Sequence, residues 1–279
     1  MSLEKQVVLV TGCSTGIGRA LVRELQAAGH RPFATARRPE TLADLAAAGV
    51  DTLRLDVGDA PSIAAAVDAV VAKAGCLDVL VNNAGVNAFG PIVETPIEKI
   101  RSVFETNVVG LLAVTQAVFP RMAEQRRGRI INIGSVVGLV PTPFAAAYCA
   151  SKSAVHMLSE ILRMEAKPFG VEVVVVQPGG VKSSIADSGA QDIERFRSEA
   201  SRYRRVYDGI RKRAYASQDS PMPAEEFARE LVRQAFATPP PRLVRLGTGA
   251  DFLPKLADIP GDQRDAMLSA NYGLDVTLP

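Results

Sequence analysis

Hydrophobic positions along the chain fall into short β-branched runs separated by longer segments whose apolar residues recur with helical period. The runs predict strands at Gln6–Thr11, Arg31–Thr35, Thr52–Asp56, Val79–Asn82, Arg129–Gly134, Val171–Gln177 and Arg242–Leu246. Helices are predicted at about Gly18–Ala28, Thr41–Ala48, Ala60–Lys73, Ile97–Glu124, Ala147–Lys167 and Ala224–Ala237. Val7-Val8-Leu9-Val10 is apolar at every position, which fits a strand buried on both faces. Strand and helix in alternation predict an α/β fold, a doubly wound parallel sheet of about seven strands with helices on both faces. Gly29 closes the first helix, and Pro168 with Gly170 stops the long one near Lys167.

The pattern changes after Pro178. From Ala190 to Tyr215 the chain is polar and Arg-rich, yet Ile193, Phe196, Ala200, Tyr203, Tyr207 and Ile210 keep helical spacing. That predicts an amphipathic helix lying over the body, within a lid of residues 183–224. Residues 247–279 are expected to form a C-terminal extension of loop and short helix, and residues 1–279 together a single domain.

Composition narrows the partners. With 47% apolar and 22% charged residues among 279, the chain is an ordinary globular protein able to bury its own core. A net charge of +2 gives no extended basic surface, so no nucleic-acid partner is expected. Cys13, Cys76 and Cys149 show no CxxC spacing and read as reduced thiols of a cytoplasmic protein. No signal-peptide pattern opens the chain, and no pure apolar run approaches the roughly 20 residues of an integral membrane segment. With only His30, His156 and scattered cysteines, no metal site with usual ligand spacing is apparent.

The first strand runs into Thr11-Gly12-Cys13-Ser14-Thr15-Gly16-Ile17-Gly18 and then a helix. Glycines there permit a tight turn and let the backbone approach a pyrophosphate, whose charge rests at the helix N-terminus. The position, at the first strand-to-helix junction of an α/β pattern, gives the motif its weight. No Lys-Ser/Thr follows the last glycine, which disfavours a P-loop NTPase. Gly134-Ser135-Val136-Val137-Gly138 has its second glycine one place too late for a nucleophile elbow.

The G-x-x-x-G-x-G spacing resembles the short-chain dehydrogenase/reductase family, and further motifs follow in that family's order. Asp56-Val57 resembles its adenine-contacting pair, and Asn82-Asn83-Ala84-Gly85 its stabilising and cofactor-lining motif. Asn107, Ser135, Tyr148 and Lys152 fall at its catalytic positions, and Pro178-Gly179 matches the segment flanking the nicotinamide, which Val181 and Ser183 continue. The resemblance runs from Gln6 to Ser183 and implies a Rossmann-type nucleotide-binding fold and an oxidoreductase acting on alcohols and carbonyls. Thr11-Gly12-Cys13-Ser14, Phe33-Ala34-Thr35-Ala36-Arg37 and the C-terminal extension are similar to the branch of hydroxysteroid, retinol and acyl-dihydroxyacetone-phosphate oxidoreductases.

Cofactor choice is read at the end of the second strand. Where an NAD-specific chain carries a carboxylate, this one has Arg37 and Arg38. Guanidinium donors suit a phosphate, so NADP(H) is expected, with Arg37 on the 2′-phosphate and Ser14 assisting. The alternative is a solvated arginine pair at a strand end. Tyr148 and Lys152, four residues apart, lie on one helix face. An adjacent ammonium favours the phenolate, so the pair is expected to tune Tyr148 toward neutrality as a general acid and base. Ser135 is expected to hold the same substrate oxygen. The resemblance implies that Lys152 also binds the ribose and that Asn107 supports a water linking Lys152 to solvent.

Phe196, Tyr203, Tyr207 and Ile210 of the lid, with Val86, Val137, Leu139, Val140 and Phe144, are expected to wall an apolar substrate site. A hydrophobic or aromatic ketone, aldehyde or alcohol follows: steroid, retinoid, lipid or polyketide-like. The basic cluster from Arg195 to Arg213, interspersed with Asp192, Glu194, Glu199 and Asp208, reads first as a solvated helix face. Anionic lipid or an acidic substrate is its alternative. The resemblance also implies a homodimer or homotetramer packed through the two long helices. Two rivals are weaker: a sugar-nucleotide epimerase-like relative has a different glycine spacing, and a redox sensor tends to lack the tyrosine or lysine.

Overall fold

The computed structural model describes residues 5–183 and 193–278. Seven parallel strands form one sheet in the order β3-β2-β1-β4-β5-β6-β7. They are β1 (Val7–Val10), β2 (Arg31–Ala36), β3 (Asp51–Arg54), β4 (Val79–Asn82), β5 (Gly128–Ile133), β6 (Val171–Pro178) and β7 (Leu243–Leu246). The helices are α1 (Gly16–Ala27), α2 (Ala43–Ala47), α3 (Ala60–Ala74), α4 (Ile97–Phe104), α5 (Gly110–Gln125), α6 (Ala146–Ala166), α7 (Tyr207–Tyr215), α8 (Ala224–Ala235) and α9 (Gly261–Tyr272). The expected doubly wound α/β sheet is what forms.

Alternation along β1 explains its unbroken apolar run. Val8 and Val10 pack into a cluster with Leu21 and Leu25 of α1 and Phe227 and Leu231 of α8. Val7 and Leu9 enter the opposite cluster with Ile63, Val67 and Val70 of α3 and Val114 and Val118 of α5. Both faces are covered, as a parallel sheet requires.

Strand order reverses between β1 and β4, each flanked on its far side by strands running outward. Loops leaving the carboxyl ends of neighbouring strands diverge at such a point and leave a crevice. Every candidate cofactor motif lies at that end of the sheet.

Three departures from expectation bear on the site. The predicted helix Ile97–Glu124 is α4 and α5 joined by a π turn over Glu105–Val109. One extra residue in that turn rotates Asn107 inward, where it is almost wholly buried. The combined helix, Ile97–Gln125, is long and apolar enough by length and composition to cross a membrane, although no pure run in the sequence reaches that length. Its apolar side includes Val103, Leu111, Val114, Val118 and Met122, which are buried in this fold, so a core helix passes the same test.

The lid is not one amphipathic helix. Residues 184–192 lie outside the described residues; among the described residues of the lid, Ile193–Arg197 and Arg204–Val206 are 3-10 turns and α7 is α-helical. Helical periodicity was real because Ile193, Phe196, Val206 and Ile210 do bury one side, against Phe89 and Phe144. Tertiary anchors break the helix: Ser201 Oγ and the Arg202 amide both donate to the Glu94 carboxylate, at 2.7 and 2.9 Å. The C-terminal extension also holds more helix than expected, since α9 runs for 12 residues.

Candidate active site

The crevice opens into a cavity of about 780 Å³ running from the end of β2 to α9. Gly12, Ser14, Thr15, Gly16, Ile17, Arg37, Arg38, Asp56, Val57, Asn83, Ala84 and Gly85 line its nucleotide end. Ser135, Tyr148, Lys152, Pro178, Gly179, Val181 and Ser183 line the middle. Gly18 and Asn107 do not, and each acts from behind the wall.

The glycine turn is shaped by what packs against it. Gly12 has φ +72°, and a Cβ there would lie 2.8 Å from Ala84 Cα. Gly16 has φ +56°, and its Cβ would lie 2.9 Å from Ser183 Cβ. Gly18 sits so close to the Gly12 carbonyl and Asn83 Nδ2 that any side chain would collide with both. Asn83 pins the turn by donating from Nδ2 to the Thr11 and Gly12 carbonyls at 2.9 and 3.0 Å. In return the Thr11 hydroxyl accepts from the Asn83 and Ala84 amides, each at 3.0 Å. A backbone bared and locked in this way fits a pyrophosphate at the N-terminus of α1.

Arg37 and Arg38 follow β2 directly and are exposed at the cavity rim, and neither guanidinium has an ion-pair partner among the described residues. Asp56 and Val57 follow β3. The Asp56 carboxylate accepts from the Gly58 amide at 3.0 Å, which fixes its loop.

At the centre, the β5 end carries Ser135 and the first turns of α6 carry Tyr148 and Lys152. Four residues apart, the last two share a helix face, with Lys152 Nζ 5.7 Å from the Tyr148 ring centroid. Lys152 Nζ donates to the Ile133 carbonyl at 2.8 Å, and burial pushes its amine down to about 8. Burial pushes the Tyr148 phenol up to about 12, against the pull of a hydrogen bond with Ser135. The neighbouring Cys149 adds to the rise and the Arg213 charge opposes it. Nζ is turned to a backbone carbonyl over the ring, and desolvation outweighs every nearby charge.

Asn107 is held at three points. Its Oδ1 accepts from the Val86 amide at 2.8 Å, and Nδ2 donates to the Val86 carbonyl and Ser151 Oγ, both at 3.0 Å. A Cβ on Gly85 would lie 3.3 Å from Asn107 Oδ1 and 3.8 Å from Lys152 Nζ, so this glycine keeps the space between them open.

His156 is a supporting residue that its sequence position did not identify. It is buried one turn beyond Lys152, and its Nε2 accepts from the Ser135 amide at 3.3 Å. Its ring fills the space that side chains on Gly134 and Gly138 would need. Both glycines around Ser135 therefore serve this imidazole.

The substrate end is walled differently from the expectation. Val86, Val137 and Val140 line it, as expected, but Leu139 and Phe144 do not. Nor do Phe196, Tyr203, Tyr207 and Ile210, which form the core between lid and body; the Phe196 ring lies directly on Gly90. Their places are taken by Phe89 and by Phe252, Leu253, Leu256, Met267, Leu268 and Tyr272 of the C-terminal extension. Arg213, read in the sequence as part of a solvated face, is buried on this wall.

The model of the short chain dehydrogenase family matches residues 6–194. This chain belongs to that family. Over 188 residues it is 40% identical to an NADPH-dependent 1-acyldihydroxyacetone phosphate reductase of Schizosaccharomyces pombe, covering 66% of this chain and 62% of the relative. A 3-ketodihydrosphingosine reductase of Bacteroides thetaiotaomicron is 35% identical over 187 residues, covering 67% and 68%. The crystal structure of a short-chain dehydrogenase from Streptomyces avermitilis superposes with a TM-score of 0.77 at 30% identity, covering 97% of each chain. The protein is thus a short-chain dehydrogenase/reductase, an oxidoreductase with a Rossmann-type fold of a family that binds NAD(P).

Proposed function

We propose that this dehydrogenase interconverts a hydrophobic carbonyl compound and its alcohol with NADP(H). The observation that carries the reading is the gathering of Ser135, Tyr148 and Lys152 on one cavity wall, beside a glycine turn locked for a dinucleotide. The bound nicotinamide would supply or accept the hydride. Tyr148, held protonated near neutrality by burial, gives its proton to the carbonyl oxygen as reduction proceeds and recovers it in reverse. Ser135 lies close enough to Tyr148 to pull on its phenol, so its hydroxyl would meet the same oxygen and orient the carbonyl. Lys152, anchored on the Ile133 carbonyl, would hold the ribose hydroxyls of the nucleotide, and Asn107, anchored on Ser151, would support a water linking Lys152 to solvent.

Arg37 and Arg38, unpaired among the described residues, support NADP(H) over NAD(H), as does the NADPH-dependent relative of fission yeast. Apolar walls on the substrate side support a steroid, retinoid, lipid or polyketide-like substrate. The stripe of Met157, Ile161 and Met164 on α6, 65%, 39% and 60% exposed, supports pairing of copies into a homodimer or homotetramer. The thiols of Cys13, Cys76 and Cys149 are all free, which fits a reducing cytoplasm.

The test is NADPH oxidation across carbonyls graded from small polar aldehydes to steroids. Turnover is expected to rise with hydrophobicity and to fall by about 10²- to 10⁴-fold in Tyr148→Phe, with nucleotide affinity retained. Activity surviving in that variant overturns the mechanism, and turnover confined to small polar sugars overturns the substrate class. Arg37→Ala is expected to raise the KM for NADPH roughly tenfold or more while leaving that for NADH nearly unchanged. Equal affinity for the two nucleotides, unaffected by Arg37→Ala, overturns the cofactor assignment.

A further inference from the structure

Arg213 stands out among the arginines of the lid. It is 6% exposed, whereas Arg211 beside it is exposed. A side chain on Gly209 would strike the Tyr272 carbonyl, so α7 lies directly on the end of α9 at that point. One turn further on, Arg213 leaves the same face of α7 and projects under the lid into the cavity wall. Its guanidinium lies 5.5 Å from the centroid of the buried Phe89 ring.

Its hydrogen-bonding and charge are unmatched. Nε is buried with no hydrogen-bond partner, and no carboxylate among the described residues pairs with the guanidinium. Asp219, the acidic residue on the substrate-side wall, is exposed at the rim and makes no ion pair with it. A guanidinium cannot shed its charge, and leaving it buried beside an aromatic ring without an anion is costly. Arg264 of α9 lines the same end of the cavity, also with a buried Nε lacking a hydrogen bond, and Asp265 stands 3.6 Å from it.

We infer that Arg213, with Arg264 assisting, is the subsite for an anionic group on the substrate, a carboxylate or phosphate carried by an otherwise hydrophobic carbonyl compound. The terminal amino groups of the Arg213 fork would take two of the anion's oxygens and give the buried charge its counter-ion. The apolar wall built by Phe252, Leu256, Met267 and Leu268 holds the hydrocarbon part. Arg213 is close enough for its charge to act on Tyr148, so the anion and the reacting carbonyl belong to neighbouring parts of one small molecule. Within the hydrophobic class proposed above, the preferred substrate is therefore one that also carries an anionic group.

The inference rests on the carbonyl-reducing activity proposed above, and two assays separate them. The first is calorimetric binding of decanoate, decyl phosphate and decanol to the full chain, which needs no turnover. Decanoate or decyl phosphate is expected to bind roughly 10- to 100-fold more tightly than decanol, and the preference to vanish in Arg213→Gln and return in part in Arg213→Lys. Tighter binding of the carboxylate or of the phosphate says which anion the site prefers. The second compares kcat/KM for keto acids and their methyl esters of equal chain length, in wild type and Arg213→Gln. A preference for the acid that disappears in Arg213→Gln is expected. Binding that ignores charge, or a charge preference untouched by Arg213→Gln in a folded protein, overturns the subsite. Selective binding without turnover of any ketone would keep the subsite and reject the activity instead.

Discussion

His156 gives the protein a definable acid sensitivity. Burial pushes its imidazole down to about 4 from 6.5, and the charges of Lys152 and Arg245 push the same way. The fold favours the neutral ring, which accepts a hydrogen bond from the Ser135 amide and packs on Gly134 and Gly138. An unfolded chain takes up the proton first, below 6.5, so the neutral ring's stabilisation is intact above that pH. It is lost as pH falls toward about 4. At about 1.4 kcal/mol per pH unit the full loss is roughly 3 kcal/mol, and roughly 2 kcal/mol of it falls between pH 7 and pH 5. The carboxylates that the fold holds low, such as Asp51 and Glu160, are common to wild type and variant and cancel in a comparison of the two. His30 is depressed in the same sense, so the test must be a difference. His156→Gln does not titrate and retains an acceptor for the Ser135 amide. Urea unfolding of both proteins at pH 7, 6 and 5 is expected to show wild type losing roughly 2 kcal/mol relative to the variant. A gap that stays constant with pH would refute a buried neutral imidazole behind Ser135.

Two further outcomes follow from the geometry. Thr11→Val keeps the shape of a buried side chain but leaves the Asn83 and Ala84 amides without their acceptor. At about 1–3 kcal/mol for each of these two groups, a stability loss of roughly 2–6 kcal/mol and weakened nucleotide binding are expected, read by denaturant unfolding and nucleotide titration. Ile161→Glu places a charge in the middle of the exposed apolar stripe of α6. Light scattering is expected to find the wild type as an oligomer and Ile161→Glu shifted toward monomer, with activity per chain largely kept; a monomeric wild type would reject the pairing.

The sheet and its cofactor end were legible because they rest on short-range rules. An apolar run such as Val7–Val10 must be buried on both faces, and β1 is. Glycines between a strand and a helix mark close approach, and Gly12, Gly16 and Gly18 are each pressed by a neighbour. A four-residue spacing on a helix brings Tyr148 and Lys152 together whatever surrounds them. Tertiary structure decided what surrounds them. Spacing carries no information on desolvation, which in the fold pushes the Tyr148 phenol up and the Lys152 amine down. Periodicity says that one side of the lid is apolar but not what covers it. Phe196 and Ile210 turned out to be packed against the body, and the substrate wall came from a C-terminal helix far away in sequence. Composition averages charge over the whole chain and cannot single out one inward arginine. Arg213 is inward because Gly209 lets α7 settle on Tyr272, a contact between residues 63 positions apart that no local pattern records.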